Sequence, residues 1–154
     1  MFQKIRERYC DAELYIFCND FQLEKDGVKI ISSKGIFHNQ RVSQEQLAIE
    51  LLKSDVWFYP TDFYETYCIY AVEAQISEVL CVTTNIGSLE EIVGDRGIII
   101  QHDSTDDQML NELFKILDDK ELKAEKIKKA KEWALKQDIK SLCEGWMKMF
   151  NEDE

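Results

Sequence analysis

The chain of 154 residues carries 19 Lys or Arg against 30 Asp or Glu, a net charge of −11. Residues 55–102 hold one basic side chain, Arg96, against eight acidic ones, so this middle third supplies −7 of the total. That balance excludes a nucleic-acid-binding domain, which needs a basic patch able to neutralise several phosphates, and a polybasic membrane-surface module.

With 45% hydrophobic residues the chain is too apolar for disorder, and its length suits one domain. No apolar run approaches the roughly 20 residues of a membrane-spanning helix, and the charged, amphipathic start is unlike a signal peptide, so a cytoplasmic protein is expected. The five cysteines (Cys10, Cys18, Cys68, Cys81 and Cys143) are odd in number and widely spaced, which points to reduced thiols rather than a disulfide framework or a zinc site.

In chain order, Phe2, Ile5 and Tyr9 share a helical stripe. Glu13 to Cys18 reads as a buried strand closed by Asn19-Asp20, and Val28 to Ile31 as a second strand after a polar loop through Asp26-Gly27. Ser43, with Gln46 three residues on, opens a helix bearing Leu47, Leu51 and Leu52. Asp55 to Tyr59 is a third strand, ended by Pro60. A helix from Cys68 to Ser77, a strand Leu80 to Thr84, a short helix Ser88 to Val93 and a strand Gly97 to Gln101 follow. Two or three helices fill Thr105 to Phe150. Alternating strands and helices imply an α/β fold, a Rossmann-like parallel sheet with helices on both faces and a C-terminal helical layer. Neither a repeat nor a linker marks a boundary, so one domain spanning 1–154 is expected. Ligands of such sheets sit beyond the carboxyl ends of the strands, which directs attention to the loops after Ile31, Tyr59 and Thr84.

The loop after Tyr59 leads into Glu65 and, seven residues of spacing later, Glu73. On a helix with Ile69, Val72 and Ile76 as its apolar stripe, Glu73 falls about 40° from Ile69, at the edge of the buried face. A carboxylate there must reach solvent or accept specific hydrogen bonds. Glu65 or Thr66 could cap the helix; alternatively the helix N–H groups face an anionic ligand and Glu65 holds a neutral polar part of it. His38, in a turn before a helix, reads as a polar loop residue rather than a catalytic base, and His102 follows the last strand with no partner in sequence. Trp57, Phe58 and Tyr59 read as core, although Tyr59 at the strand end could reach the site. Trp133 and Trp146 read as packing residues of the terminal helices.

The stretches Ser54-Asp-Val-Trp-Phe-Tyr-Pro-Thr61, Glu65-Thr-Tyr-Cys-Ile-Tyr-Ala-Val-Glu-Ala74 and Val82-Thr-Thr-Asn-Ile-Gly-Ser-Leu-Glu-Glu-Ile-Val-Gly-Asp-Arg-Gly97 resemble the C-terminal, donor-binding domain of GT-B-fold retaining glycosyltransferases of the family 4 type. Glu65 and Glu73 match that group's Glu-x7-Glu motif, and Phe37 to Val42 is similar to its Phe-x-Gly-x-Val turn, with Asn39 in place of the glycine. Cys68 stands where a glycine is frequent, and Ser77-Glu-Val-Leu80 replaces a usual Gly-x-Pro.

The resemblance implies that Glu73 binds the ribose hydroxyls of a nucleotide-diphosphate sugar. Glu65, the residue assigned to catalysis, contacts hydroxyls of the transferred sugar. Main-chain amides of Thr66, Tyr67, Cys68 and Ile69 face sugar and diphosphate, and Val42 and Gln44 line the base pocket. The implied chemistry is retaining glycosyl transfer without metal or other cofactor. The family's first strand, its diphosphate-binding Arg and Lys and its acceptor-binding domain have no counterpart here, since Met1 falls inside what resembles the first helix. The chain is therefore expected to be truncated at its N-terminus, inactive alone and open to self-association. The alternatives are a non-catalytic nucleotide-sugar-binding or partner module and an inert remnant.

Overall fold

A computed structural model describes residues 1–19, 24–25, 28–29 and 34–151. Its internal contacts divide the chain into two compact units, residues 1–47 and 48–154, taken here one at a time.

In the first unit α1 (Phe2–Arg8) precedes β1 (Leu14–Phe17). Two two-residue strands, β2 (Glu24–Lys25) and β3 (Val28–Lys29), pair antiparallel. The second expected strand thus pairs antiparallel with β2 over Val28–Lys29 rather than joining a parallel sheet. Ile30 and Ile31, and with them the loop after Ile31, lie outside the described residues.

β4 (Ile36–Asn39) runs parallel to β1, Leu14 opposite Ile36 and Phe17 opposite Asn39. This corrects the reading of Phe37 to Val42 as a turn: Asn39 is the last strand residue and takes no positive φ. Cross-strand stacking of Tyr15 on Phe37, centroids 5.0 Å apart, supports the pairing. Gly35 opens β4 at φ +83°, where a Cβ would stand 1.7 Å from Arg6 Nη1. That guanidinium donates to the carbonyls of Ala12 (2.8 Å) and Cys10 (2.7 Å), tying α1 to the chain ahead of β1. α2 (Gln44–Leu51) begins as expected, with the Gln46 N–H donating to Ser43 Oγ at 3.2 Å.

The second unit is built on a three-stranded parallel sheet in the order β5 (Val56–Tyr59), β6 (Leu80–Thr84), β7 (Ile98–Ile100). Central β6 is buried at every residue, as a strand covered on both faces must be. Edge strand β5 is half-buried throughout, with Trp57 and Tyr59 against the core. Helices α3 (Ile69–Ile76), α4 (Leu89–Val93), α5 (Asp106–Asp118) and α6 (Lys120–Ala134) pack on this sheet and on one another. The fold is therefore α/β with parallel sheets flanked by helices.

α3 buries Ala71, Val72, Ala74 and Gln75, whereas Ile69 and Ile76 are exposed. The expected stripe of large residues is displaced because α3 approaches its neighbours through small side chains, Ala71 and Ala74 at 0% exposure, facing a helix α6 that buries Ala130 and Ala134. Gln75 enters the core because its Nε2 donates to the carbonyls of Ala71 (3.0 Å) and Ile92 (3.1 Å). α5 starts with a complete capping box between Thr105 and Gln108. The last helix, α7 (Ile139–Asn151), buries no residue; Trp146, expected to pack, is 64% exposed. Among the described residues no helix is long and apolar enough to cross a membrane.

Candidate functional site

The carboxyl ends of β5 and β6 are laced together by hydroxyls. Thr83 Oγ1 donates to the Tyr59 carbonyl (2.8 Å) and Thr84 Oγ1 to the Thr61 carbonyl (2.6 Å), while the Thr61 N–H returns a bond to Thr84 Oγ1 (3.3 Å). Asn85, just beyond β6, donates from Nδ2 to Gln101 Oε1 (2.9 Å) and accepts the His102 N–H (2.9 Å), linking the ends of β6 and β7. His102 is held there through its backbone, in a polar loop.

Glu65 lies half-buried in the loop between β5 and α3. Its Oε1 accepts the Tyr59 hydroxyl at 2.9 Å, and its main-chain carbonyl accepts the Ser88 N–H at 2.9 Å. Gly87 makes the second contact possible. At φ +60° it presses against Glu65 so closely that a Cβ would fall 2.2 Å from the Glu65 carbonyl oxygen and 2.8 Å from its nitrogen.

The capping reading of Glu65 or Thr66 is not realised. Cys68 is the N-cap of α3, in extended backbone (φ −89°, ψ 92°), and no side chain closes the helix start by a cap hydrogen bond. Cys68 is buried, Thr66 and Tyr67 are exposed, and Ile69 is 59% exposed. Glu73 is half-buried on α3. Burial pushes the Cys68 thiol up; the N–H groups of Ala71 and Tyr70 oppose this, and Glu65 and Glu73 both add to the rise. Both carboxylates of the pair thus act on one thiol at the helix start. Burial also raises the Tyr59 phenol, a hydrogen bond from Thr61 opposes it, and the bond to Glu65 and that residue's charge raise it further. Tyr59 therefore remains a proton donor through the neutral range.

Val42 and Gln44 belong to the first unit and are exposed, Val42 just after β4 and Gln44 as the first residue of α2. His38, on β4, holds Nε2 2.8 Å from the Cys18 carbonyl and 4.0 Å from Cys18 Sγ. A carbonyl only accepts, so Nε2 carries the proton and is no base at that position.

Arg96, the sole cation of residues 55–102, sits ahead of β7, at the amino end of a parallel sheet whose carboxyl end carries Glu65. Its Nη2 donates to the carbonyls of Glu91 (2.8 Å) and Ile92 (3.0 Å), and its guanidinium lies 4.4 Å from the centre of the Trp133 ring. The geometry makes Arg96 an anchor for the end of α4 and for α6. Gly87 was not singled out from sequence. Its signal is an isolated glycine straight after a strand in a ligand-side loop.

Over residues 19–133, well over half of the chain, the sequence matches the family model of Glycosyl transferases group 1. The chain belongs to that family. The match takes in the three-stranded sheet of β5, β6 and β7 with Tyr59, Glu65, Glu73 and Gly87, and stops in α6 before α7 begins. No curated protein matches the chain. Membership in Glycosyl transferases group 1 makes this a glycosyltransferase domain.

Proposed function

We propose that the chain is the donor-binding part of a retaining glycosyltransferase and takes a nucleotide-diphosphate sugar at the carboxyl end of β5 and β6. Glu73 accepts hydrogen bonds from the ribose hydroxyls and Glu65 from hydroxyls of the transferred sugar. The main-chain amides of Thr66, Tyr67, Cys68 and Ile69 face sugar and diphosphate, where the positive end of α3 offsets the charge that develops as the diphosphate leaves. No metal or other cofactor takes part. The observation that carries this reading is the treatment of Glu65: its carboxylate is held by a phenol, its backbone by the loop after β6, and it is withheld from capping α3, whose start has no side-chain cap. A carboxylate kept away from the local role it would otherwise fill is suited to a ligand.

The position of Arg96 favours a second reading for the chain on its own, a non-catalytic nucleotide-sugar-binding or partner module. With the sole cation of residues 55–102 engaged at the opposite end of the sheet, that segment offers the departing diphosphate helix amides but no cationic side chain. We therefore expect the 154-residue chain to bind donor without transferring it. Thermal-shift measurements with uridine, guanosine and adenosine diphosphates and with their sugars test binding. One of the three bases should raise the melting temperature, and Glu73→Ala should abolish the rise for diphosphate and sugar nucleotide alike; an unchanged rise would remove the ribose assignment. Turnover of a sugar nucleotide by the purified chain at ordinary enzyme rates would remove the second reading.

A further inference from the structure

We infer that Tyr59 is a positioning residue for sugar recognition, its hydroxyl fixing the Glu65 carboxylate in the orientation that receives the hydroxyls of the donor sugar. The inference rests on the reading of Glu65 given above and adds the group that makes it selective.

Tyr59 is suited to this by its anchoring. It is the last residue of β5, its carbonyl receives the Thr83 hydroxyl, and its ring lies 5.2 Å from that of Trp57 and packs against the core of the second unit. A phenol on such a base points in one direction. Glu65, by contrast, is a long side chain in a loop with exposed neighbours, Phe63 at 66% and Tyr64 at 75% exposure. Without a partner it would sample several rotamers and lose that freedom on binding.

The bond is not needed to hold the loop. The Ser88 N–H already grips the Glu65 carbonyl, Gly87 packs on the Glu65 backbone, and Thr61 and Thr84 close the loop's base. What the Tyr59 hydroxyl adds is confined to the carboxylate. It occupies one acceptor position on Oε1, and a carboxylate offers about four in all, so Oε2 and the rest remain for a ligand. Those positions only accept. The ligand that suits them presents neutral hydroxyl donors, as a hexosyl group does, and not a phosphate, which the same charge repels.

The test is isothermal titration calorimetry of the 154-residue chain with UDP-glucose, GDP-mannose and ADP-glucose, each beside its parent diphosphate. For whichever pair binds, Tyr59→Phe should weaken the sugar nucleotide about tenfold, the weight of a charge-assisted hydrogen bond, and leave the diphosphate within about twofold. Glu65→Gln should weaken the sugar nucleotide at least as much. If Glu65→Gln weakens it and Tyr59→Phe does not, the role of Tyr59 is overturned while that of Glu65 stands. If Tyr59→Phe weakens diphosphate and sugar nucleotide equally, the tyrosine is structural and the inference also falls. If neither variant matters, or wild type gains nothing from the sugar, the reading of Glu65 falls and takes this one with it. Should Tyr59→Phe not fold, NMR titration of 13C-labelled tyrosine in Glu65→Gln decides the contact: Tyr59 should ionise at lower pH than in wild type, and an unchanged titration would overturn it.

Discussion

Gly87 controls Glu65 from the backbone side, and its substitution separates the loop from the carboxylate. An L-residue at φ +60° costs about 1–2 kcal/mol. Its Cβ would collide with main-chain atoms of Glu65, which cannot rotate away, so the Ser88 to Glu65 bond, worth about 1 kcal/mol, should go too. Gly87→Ala is therefore expected to destabilise by about 2–3 kcal/mol in urea unfolding and to abolish any preference for sugar nucleotide over diphosphate. A variant with wild-type stability would show that the loop yields freely. Among the candidate residues, Glu65 and Glu73 could be singled out from the sequence because spacing and flanking strand are local facts. Tyr59 was half legible, as the end of a strand that ligands approach. Gly87 was not, because its contact joins two loops that meet only once β5 and β6 pair.

At the scale of elements, the turn from α3 into β6 shows how far periodicity reaches. The strand at Leu80–Thr84 was readable as a short, partly β-branched run, and the short helix Leu89–Val93 by the Ser88 and Gly94 that flank it. The buried face of α3 was misread: hydrophobic periodicity weighs large residues, while close helix packing selected Ala71 and Ala74. β4 was missed because a four-residue strand with His38 and Asn39 in it lacks apolar alternation, and its support comes from pairing with β1. The turn itself carries strain. Glu78, at φ +61°, is the sole non-glycine residue with positive φ among those described, and it stands where the resembling family has Gly-x-Pro. Its carboxylate meets Lys131 of α6, an ion pair exposed enough to contribute at most about 1 kcal/mol. Glu78→Ala and Glu78→Gly both remove that pair, so their difference isolates the backbone. Relief of about 1–2 kcal/mol of left-handed strain, less about 0.5–1 for the freedom glycine gains when unfolded, should leave Glu78→Gly more stable than Glu78→Ala by about 1 kcal/mol. Urea unfolding followed by far-UV circular dichroism measures it, and equal stabilities would mean the turn relaxes.

Taken whole, the molecule distributes its charge and its apolar surface unevenly, and both have a structural account. The acidic middle third holds Glu65 in the loop beyond β5 and Glu73 on α3, while its one cation is used as a clamp between α4 and α6. The apolar surplus is in α7. Ile139 is 81% exposed, Trp146 64% and Phe150 66%, the helix buries no side chain, and it follows the segment that matches the family. Hydrophobic stabilisation scales with area removed from water, so a helix that buries nothing contributes little to the fold. α6 is the opposite case: Ala130 and Ala134 are buried, and Trp133 packs against the core and under Arg96. Ending the chain after Gln137 should therefore cost less than about 1 kcal/mol and keep the melting temperature within about 4 °C of the full chain. Ending it after Lys131 removes Trp133 and Ala134, opens the core beside α3, and should abolish cooperative unfolding of residues 48–131. Differential scanning calorimetry of the two truncations decides the matter. A large loss on removing α7 alone would mean that its apolar face is covered in solution, and equal behaviour of the two would remove α6 from the core.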